Sequence, residues 1–172
     1  MNKIICVITI LLLAASFSIS EAADKPCFCL APDKITQSPD FDFVDLNGNK
    51  IQLNQYTGKV VLLHFWATWC PACASEIPAL NALREKFKGN DLVILAIAED
   101  SQRLVEPFAK KLDMKYPIII DQYGSMMRSY HVKALPYTFL INKKGNISCI
   151  AIGARDWTLS TIDSYLDDLL KE

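Results

Sequence analysis

The residues of this chain best suited to chemistry are two cysteines held apart by Pro71 and Ala72, in the run Trp69-Cys70-Pro71-Ala72-Cys73. Thiols three positions apart can close into a disulfide and reopen if a helix holds them on one turn, where Cβ atoms lie roughly 5–6 Å apart. Pro71 favours that arrangement, because the first helical position needs no N–H and the proline φ is already helical. With Cys70 at the cap, the partial positive charge and unpaired N–H groups of the helix start act on its sulfur more than on Cys73, one turn deeper. Cys70 is then the nucleophile and Cys73 the resolving thiol of a dithiol exchange. Half of a zinc site and an inert disulfide are the competing readings. Zinc would need two more ligands, and His64, His131, Cys149 and the Cys27-Cys29 pair are scattered along the chain. Haem attachment fails at Ala74, where a histidine would be required.

A strand must end just before Cys70 and a helix must start there. Val60 to Trp66 is apolar except for His64, and Leu92 to Ala98 is apolar throughout, as expected of central strands covered on both faces. Ile77, Leu80, Leu83 and Phe87 recur at helical spacing between them, with Gly89 placed to stop the helix. Leu104, Val105, Phe108, Ala109 and Leu112 form a second helical stripe before a short strand, Pro117 to Ile120, and a shorter helix is expected over Tyr123 to Tyr130. Tyr137 to Ile141 and Ile147 to Ile152 flank a turn as an antiparallel hairpin, and Leu159, Ile162, Leu166, Leu169 and Leu170 mark a last helix. Upstream, Phe41, Phe43 and Val44 precede Asn47-Gly48, and Ile51 and Leu53 follow it, which predicts an N-terminal β-hairpin. A βαβ half, an inserted helix and strand, and a ββα half describe an α/β domain with a central mixed sheet and helices on both faces.

The chain has 172 residues, about half of them apolar, which suits one domain. Eighteen basic against nineteen acidic residues, with no basic run, leave no footprint for nucleic acid. Residues 1–22 read as a signal peptide: Lys3, an apolar run from Ile4 to Ala15, then small residues to a cleavage site after Ala22. A retained anchor is the rival reading, but the apolar stretch reaches only to Ile19, and a span takes roughly 20 apolar residues. Residues 23–39, with Pro26, Pro32 and Pro39, read as a linker or arm carrying Cys27 and Cys29, and folding is expected to begin near Asp40, giving a domain over 40–172. Cleavage would leave five of the six cysteines, an odd number that argues against a purely structural disulfide framework.

The segment VVLLHFWATWCPAC (60–73), with Glu76 and Pro78, the run ALPYTFLIN (134–142) and Gly145, resembles the TlpA/ResA/DsbE-like thioredoxin-fold proteins of bacterial envelopes over roughly residue 41 to the C-terminus. With the signal peptide, the resemblance implies an exported thiol-disulfide oxidoreductase of the periplasm or cell envelope, and cleavage after Ala22 would leave it soluble. It implies an active-site disulfide, a cis peptide before Pro136, and usually a reducing role such as keeping apocytochrome c thiols free for haem attachment; no cofactor is expected. Its partners would be protein thiols and disulfides and a membrane electron donor. The same residues could serve an oxidase or isomerase, and soft thiolates leave a copper(I)-binding module open.

Glu76, three residues beyond Cys73, shares its helix face; the resemblance makes it a buried proton shuttle for Cys73, whereas the dipole alone would account for a solvated first-turn glutamate. Pro136 could simply open a strand. The resemblance instead sets it in cis beside Cys70, with the Leu135 backbone free to pair with an extended substrate, and makes Trp69, with Pro71, part of the docking surface. His64 stands where many relatives carry Asn and is read as a satisfied core group. His131, in a segment commonly Tyr-Gly-Val in relatives, reads as a surface residue at a helix end. Cys149 reads as a buried small hydrophobe, with a disulfide role as the alternative. Cys27-Phe28-Cys29 is open between a second redox relay, a copper(I) site and a link to another chain.

Overall fold

The computed structural model describes residues 29–30 and 36–172. The signal-peptide reading and Cys27 lie outside the described residues. The elements are β1 (Thr36–Gln37), β2 (Asp42–Val44), β3 (Lys50–Gln52), a 3-10 turn (Leu53–Tyr56), β4 (Val60–Trp66), α1 (Pro71–Lys86), β5 (Leu92–Ala98), α2 (Gln102–Lys111), β6 (Ile118–Ile120), α3 (Ser125–Ser129), β7 (Tyr137–Ile141), β8 (Asn146–Ile152) and α4 (Ser160–Lys171). Six strands form a mixed sheet in the order β1-β8-β7-β4-β5-β6, and β2 and β3 form a separate hairpin.

β4 lies in the middle, parallel to β5 and antiparallel to β7, and all seven of its residues are buried. Its run of apolar residues, broken only by His64, follows from burial on both faces. Leu62 and Trp66 pack with Ala96 and Ala98 of β5 into one cluster with α1, α2 and α4. Val61, Leu63 and Phe65 turn the other way and meet Leu95, Ile97, the hairpin, α3 and Tyr130. Pleat alternation thus persists in a strand whose sequence hides it.

α1 buries Cys73, Glu76, Ile77, Leu80 and Leu83, one continuous stripe, and carries Arg84 and Lys86 in its last turn, where cations complement the dipole. Pro78 sits on its exposed face. α3 is shorter than the expected 123–130 because Asp121 sets its start: one carboxylate oxygen accepts the Ser125 N–H and hydroxyl, both at 2.7 Å, and the other accepts the Met127 N–H at 3.0 Å. Just past its end the exposed His131 takes a φ of 54°, a left-handed conformation that glycine adopts at less cost.

The sheet begins before Asp40. Leu30 exchanges two backbone hydrogen bonds with Ile150, at 2.8 and 3.0 Å, and Thr36 and Gln37 pair with Ile147 and Asn146. The end of the arm is therefore an edge strand on β8, tied further by the Ser38 hydroxyl to Tyr130 at 2.7 Å. A two-residue strand next to prolines leaves no periodicity to read. At the opposite edge the hairpin closes β6: the Leu46 N–H donates to the Ile118 carbonyl at 2.9 Å, and Asp45 bridges Ile119. β8 and β6 are thus each partly closed on their outer sides, and the outermost strand, β1, is only two residues long.

Candidate active site

The chain leaves β4 at Trp66 and turns at Ala67 to Trp69. The Cys70 N–H donates to the Ala67 carbonyl at 3.2 Å, and Asp100, just past β5, accepts from both the Thr68 N–H, at 3.2 Å, and its hydroxyl. This pins the turn that presents Cys70. Cys70 is the N-cap of α1 in extended backbone, with Pro71 first in the helix. It forms a disulfide with Cys73, their Cα atoms 5.3 Å apart, and its sulfur also accepts the Cys73 N–H at 3.1 Å. Cys73 is fully buried and Cys70 only 6% exposed, while Trp69 stands 64% exposed beside them.

Leu135-Pro136 is a cis peptide. Tyr137, next along the chain, pairs with Phe65 of β4, so the cis-proline turn arrives at the sheet end from which Cys70 emerges. Leu135 packs against the cluster that contains both cysteines. The Pro136 carbonyl is taken by the Gly153 N–H at 2.9 Å, and among the described residues the Leu135 peptide has no backbone partner.

Glu76 is 2% exposed. Its Oε1 accepts the Arg155 N–H at 2.6 Å and the Trp157 indole N–H at 2.7 Å, and its Oε2 has no partner among the described residues. Burial lifts its carboxyl to about 7, against the opposing pull of those donors and of the Arg155 charge. The solvated first-turn glutamate is thereby excluded. Tyr116, also buried and with no partner for its hydroxyl among the described residues, is pushed up by burial and by the Glu76 charge.

A family model described as AhpC/TSA matches residues 36–150. The chain belongs to the AhpC/TSA family. It is 40% identical over 112 residues to the thiol-disulfide oxidoreductase ResA of Bacillus thuringiensis subsp. konkukian, covering 64% of this chain and 65% of that one. It is 38% identical over 133 residues to ResA of Geobacillus kaustophilus, covering 77% and 75%. Among solved structures, one from Chlorobium tepidum assigned to the thiol:disulfide interchange protein DsbE superposes with a TM-score of 0.74 at 28% identity, over 80% of this chain and 98% of that one. The fold is thioredoxin-like.

In this ResA-like chain the structure brings Cys70, Cys73, Pro71, Trp69, Leu135 and Pro136 to one end of the sheet, with Glu76 on the buried face of the same helix. Two further readings change. Cys149 is not an unpaired hydrophobe: it is 1% exposed and bonded to Cys29, Cα to Cα 5.3 Å, across 120 residues. Cys29 is thus bonded within its own chain and, in this form, ligates nothing and links to no second chain. His64 is fully buried and only half satisfied, its Nδ1 at 2.9 Å from the Thr138 hydroxyl and its Nε2 without a partner among the described residues. Burial drops it to about 3, so it is a neutral core group. Arg155, Trp157 and Tyr116, which surround Glu76, went unread in the sequence. Their one signal was a tryptophan in an otherwise polar loop.

Proposed function

We propose that this chain is an extracytoplasmic thiol-disulfide oxidoreductase that reduces disulfides of envelope proteins, such as those of apocytochrome c. The observation that carries the reading is the Cys70–Cys73 disulfide at the N-cap of a helix, next to the cis-proline turn. Reduced, Cys70 is held as a thiolate by the helix start and attacks a substrate disulfide; one substrate sulfur leaves and the other stays on Cys70. Cys73 then attacks Cys70, releases the second substrate thiol and regenerates the internal disulfide. Glu76 accepts the Cys73 proton, for which a group ionising near 7 is well matched. The open Leu135 peptide takes an extended substrate segment by strand addition, with Trp69 and Pro71 flanking it. A membrane donor restores the dithiol.

The signal-like residues 1–22 and the Cys29–Cys149 disulfide, which needs an oxidising compartment to persist, support action outside the cytoplasm. Among the described residues no helix is long and apolar enough to cross a membrane.

The deciding experiment pairs a potential with a trap. A reductase has a Cys70–Cys73 potential near that of thioredoxin, about −270 mV, and a value near −120 mV would make the chain an oxidant. C73S should accumulate mixed disulfides through Cys70, and recovery of none from a folded protein would defeat the mechanism.

A further inference from the structure

The loop Gly153 to Leu159 joins β8 to α4, and the exchange of sulfurs does not itself require it. It nevertheless supplies both donors to Glu76. The Trp157 indole spans 81 positions in sequence to reach Oε1 at 2.7 Å, beside the Arg155 N–H at 2.6 Å. Trp157 is 1% exposed and packs in the cluster that holds Cys70 and Cys73. An indole has one polar atom, and burying it without an acceptor costs free energy. Here that acceptor is a carboxylate oxygen, so the side chain is both a core plate and a directed donor.

The two oxygens of Glu76 are consequently unlike. Oε1 carries two short hydrogen bonds from fixed donors; Oε2 carries none among the described residues. A proton bound by the carboxyl goes to Oε2, because placing it on Oε1 would compete with both donors. We propose that Trp157 is a positioning residue for the exchange reaction: with the Arg155 N–H it fixes Oε1 and leaves Oε2 as the oxygen that takes and returns the Cys73 proton. This rests on the reading of Glu76 as the proton-transfer group.

In the step concerned, Cys73 gives its thiol proton to Oε2 and its electron pair to the Cys70 sulfur. The Cys70–Cys73 bond forms, the mixed disulfide breaks, and the substrate sulfur leaves as a thiolate that solvent protonates. The other ionisable groups near Glu76 are Cys70 and Cys73 at the start of its own helix, Tyr116 from the segment before β6 and Arg155 from the loop, while His64 lies on the same face of the sheet by the alternation of β4. None donates to Oε1 from a side chain. Burial favours the neutral carboxyl and each donor favours the ionised one, so losing the indole donor raises the pH at which Glu76 ionises.

The test is a titration of the Glu76 side-chain carboxyl by carbon-13 NMR in the reduced protein, wild type against W157F. Trp157→Phe should move the midpoint up by about one pH unit, as expected for loss of one hydrogen bond to a charged group. The pH profile of mixed-disulfide resolution by Cys73 should move with it, and in an E76Q background W157F should leave that profile unmoved. An unshifted Glu76 midpoint in folded W157F overturns the proposal while leaving Glu76 in its role. If E76Q itself leaves the resolution profile unaltered, the reading of Glu76 falls and the role of Trp157 with it. Should W157F not fold, benzothienylalanine at position 157 keeps the shape of the ring and removes only the N–H; the same two outcomes then decide.

Discussion

Glu76 and His64 are buried ionisable residues on one face of the sheet, and they pull stability in opposite directions. Glu76 ionises at about 7 in the fold against a usual 4.5, so the native state keeps a proton that the unfolded chain has lost, and stability falls as pH rises between those values. His64 ionises at about 3 against 6.5, so the unfolded chain takes a proton the native state refuses, and stability falls as pH drops through that window. Each slope is about 1.4 kcal/mol per pH unit, and where the windows overlap the two nearly cancel. Urea denaturation of the wild type should be almost level across the overlap, from 4.5 to 6.5. E76Q should lose stability toward the acid side and H64N toward the neutral side. The same sign in both variants would refute the opposition. The sequence made Cys70 and Cys73 legible because their chemistry is local, three residues on one turn. It left Glu76 between two readings and passed over Trp157, because burial and an 81-residue contact depend on which segments meet.

The elements show the same division. β4 and β5 could be read directly, since a strand buried on both faces writes its apolar run into the chain. The arm could not, because a two-residue edge strand takes its register from β8 and not from its own pattern. The hairpin lies between these cases. Asn47-Gly48 announced it, but the contact that matters for the sheet is made by its turn. Asp45 is buried, which alone would raise its carboxyl; donors from Asn49 and Asn47 outweigh this and hold it below the usual range. Asp45→Ala should lower stability by about 1–2 kcal/mol, the cost of leaving those donors unpaired. It should also speed hydrogen exchange at Leu46, whose N–H closes the edge of β6. Exchange at Leu46 unchanged from wild type would mean that the edge is held by something other than the turn.

At the scale of the whole molecule, Cys29–Cys149 bonds the arm to the middle of β8 and closes a loop of nearly the entire domain. A bridge across so long a loop restricts the unfolded chain, and C149A should cost about 3–5 kcal/mol in urea denaturation. Reduction of a model disulfide through Cys70 and Cys73 should survive below the new midpoint, since the bridge takes no part in it. Loss of turnover in folded C149A would tie the bridge to the chemistry. The pairing could not be deduced beforehand, because an apolar strand hides a cysteine among its hydrophobes and spacing says nothing across 120 residues. The bridge also imposes an order in time. A ribosome adding about 5–20 residues per second makes Cys29 roughly 6–24 s before Cys149. Cys27 is already present, and Cys70 and Cys73 follow in the interval. Every wrong partner is therefore available before the right one, and the arm is locked to its edge of the sheet only after synthesis has passed β8.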